Sequence, residues 1–206
     1  NYDLIIADGA TINGTFSSAN MIVTNGTGRL IKEGDASADF VMTYPVGTGS
    51  VYTPMTISAL TSTGTGDIQL RAVAGVASGP PPLATSDLNK YWEVSETGLT
   101  ITDGTLSFSY DVSEVGSGGS QTVYRPYWYN GGIWQLPPGA SAAGVNPLSA
   151  SGITDINGTW SAYEASTPFA GDTYYSYQSG NWSSISTWTH DPGGTTQTAS
   201  DIPDSG

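Results

Sequence analysis

Apolar residues in this chain come in short alternating stretches, and glycine-containing turns separate many of them. Leu106-Ser107-Phe108-Ser109-Tyr110 is the clearest case. Every second side chain is apolar, so one face of the segment suits a core and the other suits water. The dipeptides Asp8-Gly9, Asn13-Gly14, Asn25-Gly26, Asp103-Gly104, Asn130-Gly131 and Asn157-Gly158 punctuate the sequence. Asn-Gly and Asp-Gly tolerate the positive φ that tight turns demand. No segment sustains apolar residues at i, i+3, i+4 and i+7, so the helical period is missing. The pattern predicts an all-β fold. Strands are expected at Asp3–Ala7, Met21–Thr24, Arg29–Glu33, Phe40–Tyr44, Met55–Leu60, Ile68–Val73, Lys90–Val94, Leu106–Tyr110, Thr122–Tyr127, Ile133–Leu136 and Thr159–Glu164.

Three textures follow one another. Residues 1–44 carry very short strands with frequent turns, and Leu4-Ile5-Ile6, Met21-Ile22-Val23 and Leu30-Ile31 supply brief apolar patches. That rhythm suits the end of a β-helical (solenoid) repeat, with a meander of hairpins as the competing arrangement. Residues 45–170 have longer, aromatic-rich strands, which predict a central antiparallel β-sandwich. Within it, Gly75–Asp87 holds the run Pro80–Pro82, which suits a polyproline crossover between strands. Residues 171–206 form the third region. Gly180-Asn181-Trp182-Ser183 and Thr187-Trp188-Thr189 read there as the start of a next repeat unit. Both ends therefore read as a window on a longer, repeating polypeptide.

Composition narrows the function classes. The chain has no cysteine, so disulfides and thiolate metal sites are excluded. Five basic against eighteen acidic residues give a net charge of −13. No basic patch offers itself to nucleic acid, and an anionic membrane surface would repel the chain. No apolar run reaches the ~20 residues of a membrane-spanning helix. Charged residues are only 11% of the chain, with Ser, Thr, Gly and Asn in their place. That composition suits a secreted or surface-exposed β protein.

Residues able to do chemistry are sparse, and no catalytic residue is assigned. His190 is the single histidine and lacks the partners that a zinc site or a triad needs. Glu93 and Glu96 are the one pair of carboxylates to weigh as glycosidase groups. Strand alternation instead predicts Trp92 and Val94 in the core with Glu93 outside. Asp111 and Glu114, where a strand runs into a Gly-rich loop, are the candidate calcium ligands. Tyr127, Trp128, Tyr129 and Trp134, together with Tyr124, form the candidate binding surface, since planar aromatics stack on sugar faces. The same residues around an Asn-Gly turn also make good cross-strand pairs.

The order of motifs carries a resemblance. Met21–Glu33 (MIVTNGTGRLIKE) is followed by Tyr44-Pro45-Val46-Gly47, Tyr52-Thr53-Pro54 and Leu88-Asn89-Lys90-Tyr91-Trp92-Glu93-Val94. Ser179-Gly180-Asn181-Trp182 with Thr187-Trp188 closes the series. This order resembles repeat modules of very large surface proteins of Bacteroidota, including the adhesins of gliding bacteria. The resemblance implies export by the type IX secretion system and an extracellular, cell-surface location. It also implies a non-catalytic structural or adhesive role beside neighbouring repeats of the same polypeptide. Partners would be the secretion and gliding machinery and surface glycans, with no nucleic acid and no membrane insertion. The alternative expectation is a carbohydrate-binding accessory module of a secreted polysaccharide-degrading enzyme.

Overall fold

A computed structural model describes residues 2–24, 26–77, 87–117, 119–164, 175–181, 184–189, 193 and 195. The chain divides into two units, Asn1–Thr167 and Pro168–Gly206. The first unit contains β1 (Leu4–Ile6), β2 (Ile22–Val23), β3 (Leu30–Gly34), β4 (Thr43–Tyr44), β5 (Val46–Thr48), β6 (Val51–Tyr52), β7 (Met55–Thr63), β8 (Gly66–Ala74), β9 (Lys90–Thr97), β10 (Thr100–Phe108), β11 (Tyr124–Asn130), β12 (Ile133–Gln135), β13 (Leu148–Ser151) and β14 (Gly158–Glu164). In the second, β15 (Tyr175–Ser176) pairs antiparallel with β16 (Trp188–Thr189). Helix among the described residues is limited to single 3-10 turns, so the fold is all-β.

Two sheets of the first unit face each other as a sandwich. One has seven strands in the order β1-β3-β8-β9-β14-β11-β12, and the other has four in the order β13-β10-β7-β4. A third sheet joins β2, β5 and β6. Alternation explains the layering. Trp92 and Val94 of β9 point into the core while Tyr91 and Glu93 are only half-buried. Leu106 and Phe108 of β10 fill the core from the opposite sheet. Phe108 wedges between two tryptophans, with ring centroids 5.0 Å from Trp92 and 5.3 Å from Trp160. Burying three rings of this size dominates the local energetics, since each removes about 150–250 Å² from water.

The first strands build a different pattern. Leu4 of β1 faces Leu30 of β3 in parallel, 26 positions on. Ile22 of β2 faces Val46 of β5, also in parallel and 24 positions on. The chain thus passes the same two places twice. Its successive passes are tied by bonds from Leu4 N–H to the Arg29 carbonyl (2.9 Å) and from Ile22 N–H to the Pro45 carbonyl (2.8 Å). The buried Lys32 adds to this by donating from Nζ to the Ala7 carbonyl at 3.1 Å. On the far side of β3 the direction changes. β8 pairs with it antiparallel, from Leu30↔Leu70 to Gly34↔Gly66. β6 does the same to β5.

Several local expectations differ from the structure. Asp103-Gly104, expected as a turn, lies inside β10, where the register against β7 slips. The Gly104 carbonyl accepts the Ile153 N–H at 3.1 Å, so the dipeptide is a strand irregularity rather than a chain reversal. Within the expected strand Phe40–Tyr44, Phe40 ends a 3-10 turn over Ser37–Phe40 and only Thr43–Tyr44 is strand. The Asp39 carboxylate accepts the Asp35 and Ala36 N–H groups, which fixes that turn. The Asn130-Gly131 turn forms as expected. Gly131 and Gly132, at φ 65° and 94°, close the β11–β12 hairpin between Asn130 and Ile133. The expectations on Pro80–Pro82, Trp182 and His190 fall outside the described residues.

Candidate functional site

The aromatic hairpin does not form one flat platform. Alternation along β11 sends its rings to opposite faces of the sheet. Trp128 lies directly across from Trp160 and stacks on it at 5.6 Å, and its Nε1 donates to the Asn157 carbonyl at 2.9 Å. Trp128 therefore belongs to the sandwich core side. Tyr127, Tyr129 and Trp134 occupy the other face with Tyr163. Centroid separations there are 5.6 Å for Tyr127–Tyr163, 5.2 Å for Tyr129–Trp134 and 5.0 Å for Trp134–Tyr163. Tyr127 is 2% exposed and Trp134 is 4% exposed. Rings that deep cannot lay a face on a sugar as the fold stands. Tyr129 and Trp128 are partly exposed, and they point to opposite sides. Tyr124, also named in the sequence, is fully buried and sits 6.0 Å from Tyr110.

The two calcium candidates are held by the protein itself. Glu114 Oε1 lies 2.5 Å from Lys90 Nζ, and Oε2 accepts the Asp111 N–H at 3.0 Å. Lys90 Nζ also donates to Thr48 Oγ1. Burial pushes the Glu114 carboxyl up, with Lys90 pulling the other way. Asp111 caps the short turn Val112–Glu114, its Oδ1 accepting the Ser113 hydroxyl and N–H at 2.7 and 2.9 Å. Those two bonds hold the Asp111 carboxyl below its usual range.

Glu93 is equally committed. Arg71 binds it in a fork, Nε to Oε2 at 2.6 Å and Nη2 to Oε1 at 2.7 Å, and Arg29 adds a bond of 3.0 Å to Oε2. The fork from Arg71, with the charge of Arg29 added, holds the Glu93 carboxyl below the usual range against the pull of desolvation. Arg71 also reaches the Gly26 carbonyl, so this cluster ties the first strands to β8 and β9. Glu96 turns to Asn157 and to the Leu99 N–H, at 3.3 and 3.1 Å. Glu93 and Glu96 thus serve separate local networks rather than one cleft.

One grouping escaped the sequence reading. Asp8, Asp35 and Asp39 bring one carboxylate oxygen each within 4.8 Å of one another. Asp8 and Asp35 stand 27 positions apart, so only the doubled path of the first strands brings them together. They are mostly exposed, and Asp39 already serves the Ser37–Phe40 turn. A shallow groove of about 280 Å³ opens beside β1 and β2, lined by Leu4, Ile22 and Val23 among others.

The first unit is an all-β sandwich in which Glu93, Glu96, Asp111 and Glu114 each hold internal bonds. Comparison with protein-family models, curated proteins and solved structures returns no match to this chain.

Proposed function

We propose that this chain is a non-catalytic structural segment of a large cell-surface protein, of the kind exported by the type IX system in gliding and adhesive bacteria. On this reading the first 44 or so residues close a β-helical stack, the sandwich terminates it, and residues 171–206 open the next unit. The observation that carries the reading is the pair of parallel registers, 26 positions between Leu4 and Leu30 and 24 between Ile22 and Val46. Two short parallel strands per pass, repeated at nearly constant spacing, is how a solenoid coil advances. The commitment of Glu93, Glu96, Asp111 and Glu114 to internal bonds favours a load-bearing role over catalysis. Neighbouring repeats of the same polypeptide are the first partners, and the secretion and gliding machinery and surface glycans follow from the same reading.

The test uses antibodies raised against the folded chain on intact cells of the organism that encodes it. Surface labelling is expected, and it should disappear when type IX secretion is disabled. Labelling only after cells are opened would overturn the reading. A glycan array run in parallel separates the alternative. Saturable binding lost in Tyr129→Ala with the fold intact would point to a carbohydrate-binding module instead.

A further inference from the structure

The coil nearest to β1 ends in two open ladders at once. β1 is the edge of the seven-stranded sheet and β2 the edge of the three-stranded sheet. In a parallel pair, alternate residues direct both N–H and C=O to the same neighbour. Leu4 N–H goes to Arg29, and Ile22 and Thr24 N–H go to Pro45 and Gly47. The intervening Ile5 and Val23 therefore turn their backbone groups away from the stack, toward the free side.

The side chains show the same unfinished state. Leu30 and Val46, in the second coil, are 0% exposed. Their counterparts one coil earlier are not covered. Leu4, opposite Leu30, is 46% exposed, and Ile22, opposite Val46, is half-buried. Each apolar column is thus sealed at its sandwich end and open at the other. The groove of about 280 Å³ lies on this open end.

We infer that this face is a docking surface for one further coil of the same polypeptide, running parallel to β1 and β2 in the register those strands already use. The argument is continuity with the interface inside the fold. The same ladder steps on by 24 to 26 positions, and successive coils advance toward the sandwich, so the coil that fits comes earlier in the chain. It would place aliphatic side chains over Leu4 and Ile22 and backbone acceptors opposite the Ile5 and Val23 N–H groups. The inference rests on the solenoid part of the proposed function and not on adhesion or export.

The experiment fuses a copy of residues 3–28 directly before Asp3 of the full chain, which repeats the 26-residue step. Hydrogen exchange is then followed by NMR. Ile5 and Val23 of the original coil should exchange about tenfold more slowly or better, with fast exchange moving to the added copy. A fusion carrying a scrambled sequence of equal length should leave both amides fast. Unchanged exchange in the duplicated fusion, or equal protection by the scrambled one, overturns the inference. So does concentration-dependent protection in the unextended chain, since the occupant would then be a second copy. Surface labelling of cells does not depend on any of these outcomes, so the two readings fail separately.

Discussion

Lys90 and Glu114 hold opposite charges 2.5 Å apart in a part of the sandwich nearly shut off from water. Such a pair loses hydration on both sides, so its net contribution is small, but breaking it strands a charge. Lys90→Met is therefore expected to cost about 3–5 kcal/mol. The double variant Lys90→Met/Glu114→Leu should recover most of that loss, as read by urea unfolding. A single variant as stable as the parent would show that the pair is not closed in solution. The sequence pointed to Glu114 as a cation ligand, and the cation against it in the fold is the Lys90 ammonium. A carboxylate beside a Gly-rich loop looks like a cation ligand, and nothing local shows that Lys90, 24 positions earlier, lies against it. Glu93 teaches the same lesson. Its strand position was legible from alternation, whereas its fork from Arg71 depends on the register between β8 and β9.

At the level of elements, strands with a clean alternating run were legible. β7, β8, β9 and β14 contain the segments that the period of two predicts, whereas β10 holds only Leu106–Phe108 of the expected Leu106–Tyr110 and ends before Ser109. β5, β6 and β13 were not, because two to four residues cannot display a period and their strand state comes from pairing. The parallel ladders were hidden for a related reason. Each pass of the chain holds two short strands, so turn spacing in the sequence is shorter than one pass and the step of 24 to 26 shows only in the register. Two glycines mark where the successive passes touch. A Cβ on Gly28 would meet the Tyr2 carbonyl oxygen at 2.7 Å, and one on Gly47 would overlap Met21 Sδ and the Val51 carbonyl. Gly28 sits 26 positions after Tyr2, and Gly47 sits 26 positions after Met21. Gly47→Ala should then destabilise the chain by about 1–3 kcal/mol through overpacking. It should also speed exchange at the Thr24 N–H, which bonds to the Gly47 carbonyl. A silent Gly47→Ala variant would mean that β2 is not held close to β5.

Over the whole molecule, charge is the least balanced quantity. Net charge is −13, while the salt bridges among the described residues draw on Arg29, Arg71 and Lys90. Self-repulsion of this size opposes the compact state. Raising salt from about 0.01 M to about 0.15 M shortens the screening length from ~30 Å to ~8 Å. The thermal midpoint should rise by about 2–4 °C, equivalent to ~1 kcal/mol for a chain of this size. A fall would mean that exposed ion pairs outweigh repulsion. The reversal of direction at β3 has a consequence of another kind. Because β8 runs antiparallel to β3, the parallel ladder of β1 and β3 cannot continue past it. On the proposed docking of an earlier coil against β1 and β2, each added coil would lengthen the molecule by about 4.8 Å, one strand spacing.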